Sequence, residues 1–437
     1  MKTRIENVTI LTMNQNADVI ENGFIEFDEK ITCIGQGQSI NQVDEVIDGN
    51  KGIIMPGMIN THTHVGMVPF RTLGDDCKDR LRRFLFPLEN ECMNEKLAYT
   101  SAKYAMAEML LSGITTFMDM YYFENEIAKA TDEMGMRAFL GETVIDFATC
   151  DSDQPYWGLD YARWFIPKWK DHPLITPFIA PHATNTNNEE ALKEANEISK
   201  QYHVPISLHV SEMDYEMKYF EEQYQKTPIE FLESIGLLSS RLVAAHCILV
   251  NDDDIDLLKK YNVQVAHCIG SNAKAGKGVA PIKDMLLKGV NVGLGTDGPS
   301  SGNTLDLFTQ FKMFATFHKN HHHDRSLFPS QGIIELGTIK GAKCLGIDHL
   351  VGSLEIGKQA DIVLIETDSV NMFPLFDYYS ALVYSAQPRN VDSVFVNGNC
   401  LVKNKKLVHF SLKELKQDLQ NEMEEFSRKA MLYDIQS

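Results

Sequence analysis

Eight short apolar runs, each closing on a polar or ionisable residue, recur along the middle of this chain with helix-forming segments between them. They are Ile59 to His64, Thr115 to Tyr121, Ala138 to Asp146, Ile175 to His182, Ile206 to Glu212, Leu242 to His246, Val263 to His267 and Val290 to Asp297. Helical periodicity marks Ala98 to Ser112, Glu189 to Tyr202, Thr227 to Ile235, Asp252 to Tyr261 and Ile282 to Leu287, with Gly113, Gly236 and Gly289 as stops. Repeated β-then-α units of this kind call for a parallel (β/α)8 TIM-like barrel. Such barrels gather active residues at the carboxyl ends of their strands, where His62, His64, His182, His209, Glu212, His246, His267 and Asp297 fall.

The flanks have a different texture. Residues 1–54 alternate apolar and polar groups (Ile5, Val8, Ile10, then Phe24, Ile25, Phe27, Ile31, Ile34), as half-buried antiparallel strands do. The pattern returns between Gly352 and Leu407, where Asn397-Gly398 is a strong hairpin signal. Neither flank suffices for a sheet domain, so both ends are expected to meet in one small β-sandwich. The expected domains are 1–54 and 350–437 for the sandwich and 55–349 for the barrel, with a final helix over Leu412 to Met431.

The 437 residues are 44% hydrophobic and 23% charged, an ordinary globular composition with no apolar stretch long enough for a membrane span. Met1 to Asn14 lacks the apolar core of a signal peptide, which favours the cytoplasm. A formal charge of −19 opposes attraction to nucleic acid or anionic membranes, leaving a small molecule as the expected partner. The chain is compatible with a homo-oligomer. Its eight cysteines lack C-x-x-C spacing, so reduced, buried thiols are expected.

Among the strand-end residues, His62-Thr63-His64 is the most specific, because alternate residues on a strand point the same way and two imidazoles can share one ion. A catalytic zinc site takes about three protein nitrogens or oxygens and keeps a position open. His209 can supply a third nitrogen, and Asp297, within Gly293-Leu294-Gly295-Thr296-Asp297-Gly298, a carboxylate at the same mouth. The glycines permit a close approach of backbone and substrate.

The H-x-H pair, His209 with Glu212, Ala244-Ala245-His246-Cys247, and Gly295-Thr296-Asp297-Gly298 before Pro299-Ser300-Ser301 resemble the amidohydrolase superfamily. The likeness is strongest to its 5-methylthioadenosine/S-adenosylhomocysteine deaminase and s-triazine chlorohydrolase branch. It extends to Gly352-Ser353-Leu354-Glu355-Ile356-Gly357-Lys358-Gln359-Ala360-Asp361, where such proteins re-enter the sandwich. The resemblance implies that His62, His64, His209 and Asp297 bind metal and that Glu212, His246 and Asp297 are catalytic. Asp297 and His246 would orient and deprotonate water, and Glu212 would carry its proton to the substrate. Relatives with two metals bridge them through a strand-end lysine; the fourth run here has none, so one divalent ion is expected, zinc first, with iron or manganese as alternatives.

The resemblance also implies substrate contacts: Glu89, in Pro87-Leu88-Glu89, with ribose hydroxyls, and His182 with a purine nitrogen, alongside Glu212. Glu142 stands where homocysteine-binding relatives carry an arginine, which favours 5-methylthioadenosine or adenosine over S-adenosylhomocysteine. Upstream of Pro87, where such relatives often carry a tryptophan, this chain has Arg80-Leu81-Arg82-Arg83-Phe84, so either Phe84 or Phe86 is expected to stack on the ring or the substrate differs. The expected enzyme is therefore a hydrolytic deaminase of an adenosine-like nucleoside. The alternatives are a guanine, 8-oxoguanine or s-triazine hydrolase and, outside enzymes, a catalytically silent scaffold. Bland readings go to His321-His322-His323, a solvated loop, and to Phe308, Phe311, Met313, Phe314 and Phe317, a helix core.

Overall fold

All eight apolar runs form strands in the computed structural model, which describes residues 1–433. In barrel order they are Met58–Thr63, Ile114–Tyr121, Arg137–Val144, the pair Ile175–Pro177 and Ala180–Pro181, Ile206–Val210, Leu242–His246, Gln264–His267 and Asn291–Leu294. The fourth, expected as one strand from Ile175 to His182, is broken. Pro177 and Pro181 have no N–H to give the ladder, so only short stretches pair.

Parallel pairing runs from the first strand through the fourth and from the fifth through the eighth. Bridges from Ile179 to Ile206 and from Ala183 to His209 join the two arcs. The seam closes where the Asp297 N–H donates to the His62 carbonyl at 3.0 Å. Ile59, Met118, Phe139, Val243 and Ala266, from five different strands, and Phe178 from the break in the fourth belong to one buried apolar cluster. Side chains so far apart around the ring touch only inside a barrel. The larger core lies between the strands and the surrounding helices.

Both flanks enter one sheet, nine strands among the described residues. The amino-terminal strands are Thr3–Leu11, Val19–Phe27, Ile31–Gln36, Glu45–Asp48 and Ile53–Pro56; the carboxyl-terminal ones are Ile362–Ile365, Val391–Val396, Asn399–Lys403 and Lys406–Leu407. The ends join where Ile53–Pro56 runs antiparallel to Ile362–Ile365, and Phe27 meets Phe395 edge to face at 5.0 Å. Asn397 (φ 48°) and Gly398 (φ 76°) both take the left-handed conformation a tight hairpin demands. A buried ion pair, Arg137 to Asp361 at 3.1 Å, ties the third barrel strand to this sheet.

The final helix divides into Leu412–Glu422 and Glu424–Ala430, and Phe426 of the second piece packs on Phe70 at 4.7 Å. The helix Leu307–His321 buries Phe308, Phe311 and Phe314 but exposes Phe317, and it carries His321 in its last turn instead of in a loop. Five cysteines are buried, whereas Cys33, Cys150 and Cys400 are half-buried; none of the eight forms a disulfide. Among the described residues, no helix is long and apolar enough to cross a membrane.

Candidate active site

Two barrel strands deliver three imidazoles to one point, His62 and His64 from the end of the first and His209 from the fifth. The donor nitrogens of His62, His64 and His209 lie within 4.8 Å of one another, and the His62 and His209 Nε2 atoms are 3.1 Å apart. That is close to the separation of two nitrogens each about 2.0–2.1 Å from a single ion. The pairing of the first strand with the second slips between Asn60 and Thr63, a bulge that breaks strict alternation and re-aims the strand end. His64 Nδ1 faces the Met120 carbonyl at 2.6 Å, and His209 Nδ1 faces that of His182. A carbonyl can only accept, so both rings carry a proton on Nδ1, which leaves Nε2 as the nitrogen that would meet an ion.

Asp297 completes the group, with Oδ1 at 3.3 Å from His64 Nε2. Burial lowers His62 and His209 well below the ordinary imidazole range, each reinforced by neighbouring histidines. Burial would lower His64 too, but the bond to Asp297 lifts it to about 9, while Asp297 stays well below the carboxylate range despite its own burial. Two buried neutral imidazoles, a third whose Nε2 proton an ion would displace, and a buried carboxylate are a donor set that fits a divalent cation. Asp297 (φ 59°) and His246 (φ 69°), both in the left-handed region, carry backbone strain of the kind found at functional sites.

Gly295 sits directly behind the cluster. A Cβ there would lie 2.9 Å from Cys268 Sγ and 3.0 Å from the Cβ of His62. Gly295→Ala is therefore expected to push His62 aside, weakening metal binding about 10–100-fold and costing about 1–3 kcal/mol of stability. Metal titration alongside denaturant unfolding would show both.

Glu212 lies 3.5 Å from His246 Nε2, which has no hydrogen-bond partner among the described residues and sits 4.0 Å from Asp297. Asn272 Oδ1 holds the other nitrogen of His246 at 2.8 Å. The Glu212 backbone N–H is anchored on Glu216 Oε2 at 2.8 Å, and its carboxylate meets the ammonium of Lys277. Burial raises the Glu212 carboxyl, yet His246, Lys277 and His209 outweigh it and hold it at about 2. Neither Asn272 nor Lys277 is picked out by the sequence reading. A lysine between two glycines, Gly276-Lys277-Gly278, was the available signal.

Glu89 is buried on the helix Phe86–Cys92 and accepts the Tyr121 hydroxyl at 2.6 Å. Burial raises its carboxyl to about 7 against the opposing effects of Tyr121 and His64. His182 is 5.0 Å from the His209 ring and 6.1 Å from Phe86, and its Nδ1 meets Thr186 at 3.0 Å. Burial, with His64 nearby, lowers it to about 4, so it is neutral. Of the two candidate aromatics, Phe84 is fully buried against Gly74, whereas half-buried Phe86 stands between Phe147 and His182.

Glu142 is not a charge facing a substrate. It is buried and accepts the backbone N–H groups of Phe123 and Glu124 at 3.1 and 2.9 Å, and burial beside Asp151 pushes its carboxyl well up. It caps the helix Glu124–Met134, so an argument against S-adenosylhomocysteine through its repulsion fails. His267 also stays outside the cluster, with its Nε2 3.2 Å from that of buried His318.

The amidohydrolase family model matches residues 53–401. The chain is 36% identical to a 5-methylthioadenosine/S-adenosylhomocysteine deaminase of Syntrophus aciditrophicus, over 95% of this chain and 96% of that protein. It is 35% identical to a 5'-deoxyadenosine deaminase of Methanosarcina barkeri, over 96% and 97%. Among solved structures, a zinc-bound adenosine deaminase from Xanthomonas campestris superposes with a TM-score of 0.92 at 26% identity, covering 98% of both chains. Matched from the last amino-terminal sheet strand, through the whole barrel, to the returning sheet, this chain belongs to the amidohydrolase family.

Proposed function

We propose that this protein is a hydrolytic deaminase of 5'-modified adenosines, 5-methylthioadenosine and 5'-deoxyadenosine being the model substrates, with one divalent ion, zinc by preference, on His62, His64, His209 and Asp297. The observation that carries this reading is the convergence of three inward-facing imidazole nitrogens next to Glu212 and His246 at the barrel mouth. Zinc-bearing and adenosine-acting relatives support it. The same reading divides the chain into a barrel over 55–349 and a sheet domain from 1–54 and 350–437.

A divalent ion held there supplies the acidity that turns water into a nucleophile at neutral pH. Glu212 takes one proton of that water as its oxygen bonds to the amidine carbon, and passes the proton to the adjacent ring nitrogen. The exocyclic amine takes the second water proton, the C–N bond breaks, and ammonia leaves from a carbonyl product. His246 donates its Nδ1–H to the Asn272 amide oxygen and turns Nε2 between Glu212 and Asp297, where it accepts from the attacking water and orients it. Glu89 receives the ribose hydroxyls, and Phe86 with His182 flanks the purine.

The test is ammonia release from adenosine, 5-methylthioadenosine, 5'-deoxyadenosine, S-adenosylhomocysteine, guanine, cytosine and triazines. Nucleosides should lead, and Glu89→Gln should lower their kcat/KM while leaving free bases unaffected. Preference for guanine or a triazine would defeat the proposal.

Glu89 also makes a stability prediction. Its folded pKa, raised from 4.5 to about 7, means that the folded protein holds a proton the unfolded chain has lost. Stability is therefore full below about pH 4.5 and declines as pH rises to about 7; at about 1.36 kcal/mol per pH unit, the loss is about 3 kcal/mol. Glu89→Gln should remove that decline. Denaturant titration of metal-stripped protein should find the variant increasingly the more stable as pH rises; a constant difference would contradict the buried proton.

A further inference from the structure

Lys277 is placed with a precision that a surface ion pair would not require. It lies between Gly276 (φ 65°) and Gly278 (φ 104°), and at Gly276 no atom stands within 4 Å of where a side chain would begin. That glycine serves backbone conformation, not space. The turn carries the ammonium into the barrel mouth, where Lys277 and Glu212 keep only 19% and 16% side-chain exposure. Partly desolvating a lysine is unfavourable unless a partner offsets it. Its partner is the Glu212 carboxylate, 65 residues away in sequence.

Asn272 organises the arrangement. Its side-chain oxygen holds His246 Nδ1 at 2.8 Å, and its backbone carbonyl accepts the Lys277 N–H at 3.0 Å. Both groups flanking the Glu212 carboxylate, His246 Nε2 and the Lys277 ammonium, are therefore set by one residue. Glu216 fixes the backbone of Ser211 and Glu212 through bonds of 2.8 Å each, leaving the side-chain torsions of Glu212 as its remaining freedom. A carboxylate that must take a proton from water and give it to a ring nitrogen loses much of its rate if it swings away.

We propose that Lys277 is a positioning residue for the deamination, pinning the Glu212 carboxylate beside His246 so that it stands between the attacking water and the substrate ring nitrogen. This rests on the reading of Glu212 as the proton carrier. Lys277 acts through Glu212 and not on the substrate.

The test compares zinc-loaded wild type, Lys277→Met and Lys277→Arg. The expected result for Lys277→Met is a fall in kcat of about tenfold or more with KM nearly unchanged, and unaltered metal content and melting temperature. Lys277→Arg should recover most of the loss. Infrared spectroscopy at neutral pH, with Glu212→Gln as the subtraction reference, reads the Glu212 carboxylate stretch without any turnover. That band should move in Lys277→Met and return in Lys277→Arg. An unmoved band, a moved band with undiminished kcat, or a rise in KM alone would overturn the proposal, the last making Lys277 a substrate contact. Full activity of Glu212→Gln would overturn the mechanism instead, while its infrared comparison would still report whether Lys277 holds the carboxylate.

Discussion

Glu212→Gln is expected to lower kcat by about 10²–10⁴-fold, the range attributed to positioned acid–base groups, while the protein still binds one equivalent of metal. The amide is isosteric with the carboxylate and can still meet Lys277, so the fold and the cluster of His62, His64 and His209 should survive. What is lost is the capacity to carry a proton. Metal analysis and steady-state kinetics on one preparation separate the two effects. Substantial activity with metal bound would remove Glu212 from the mechanism, and loss of metal would show that it supports the site structurally.

Removing the metal is expected to abolish turnover, and its rebinding should depend on pH with a definite sign. In the metal-free protein, His64 is raised to about 9 by its bond to Asp297 and so carries a proton at neutral pH. His62 and His209, lowered by burial, are already neutral. Each ion bound therefore displaces one proton from His64, and affinity should fall about tenfold for every pH unit below about 9, levelling off above it. Competition titrations with a chelator of known affinity, run across pH, would measure that slope. A slope near zero would show that His64 does not hold the proton, and a slope near two that another imidazole is protonated as well. His64→Gln should abolish the slope along with most of the affinity.

Much of this architecture could be read from local pattern. A strand such as Leu242-Val243-Ala244-Ala245-His246 is apolar throughout because both its faces are covered, and it closes on a polar residue because that end opens on the mouth. Asn397-Gly398 specifies its hairpin through backbone conformation alone. What escaped reading has a common cause. Lys277 meets Glu212 across 65 residues, Tyr121 meets Glu89 across 32, and Asn272 meets His246 across 26. Glu142 was misread for the same reason: its position in a strand is visible, but not the helix start folded over it. Phe84 and Phe86 are chemically equivalent in the sequence. They differ because the π-helical turn Leu81–Leu85, leading into Phe86–Cys92, directs one into the core and leaves the other beside His182.

The sequence by itself determined the barrel, the sharing of one sheet by both chain ends, and the short list of groups able to bind metal or move a proton. Periodicity, turn chemistry and residue type are local, and they survive without knowledge of neighbours. Tertiary structure decided which of those groups cooperate. It brought three imidazoles from two strands to one point, turned Glu142 and His267 away, and set Glu212 between His246 and Lys277. Proton affinity, desolvation and hydrogen-bond direction depend on groups a few ångströms away in space, and closing the barrel is what brings residues distant in the chain within that range.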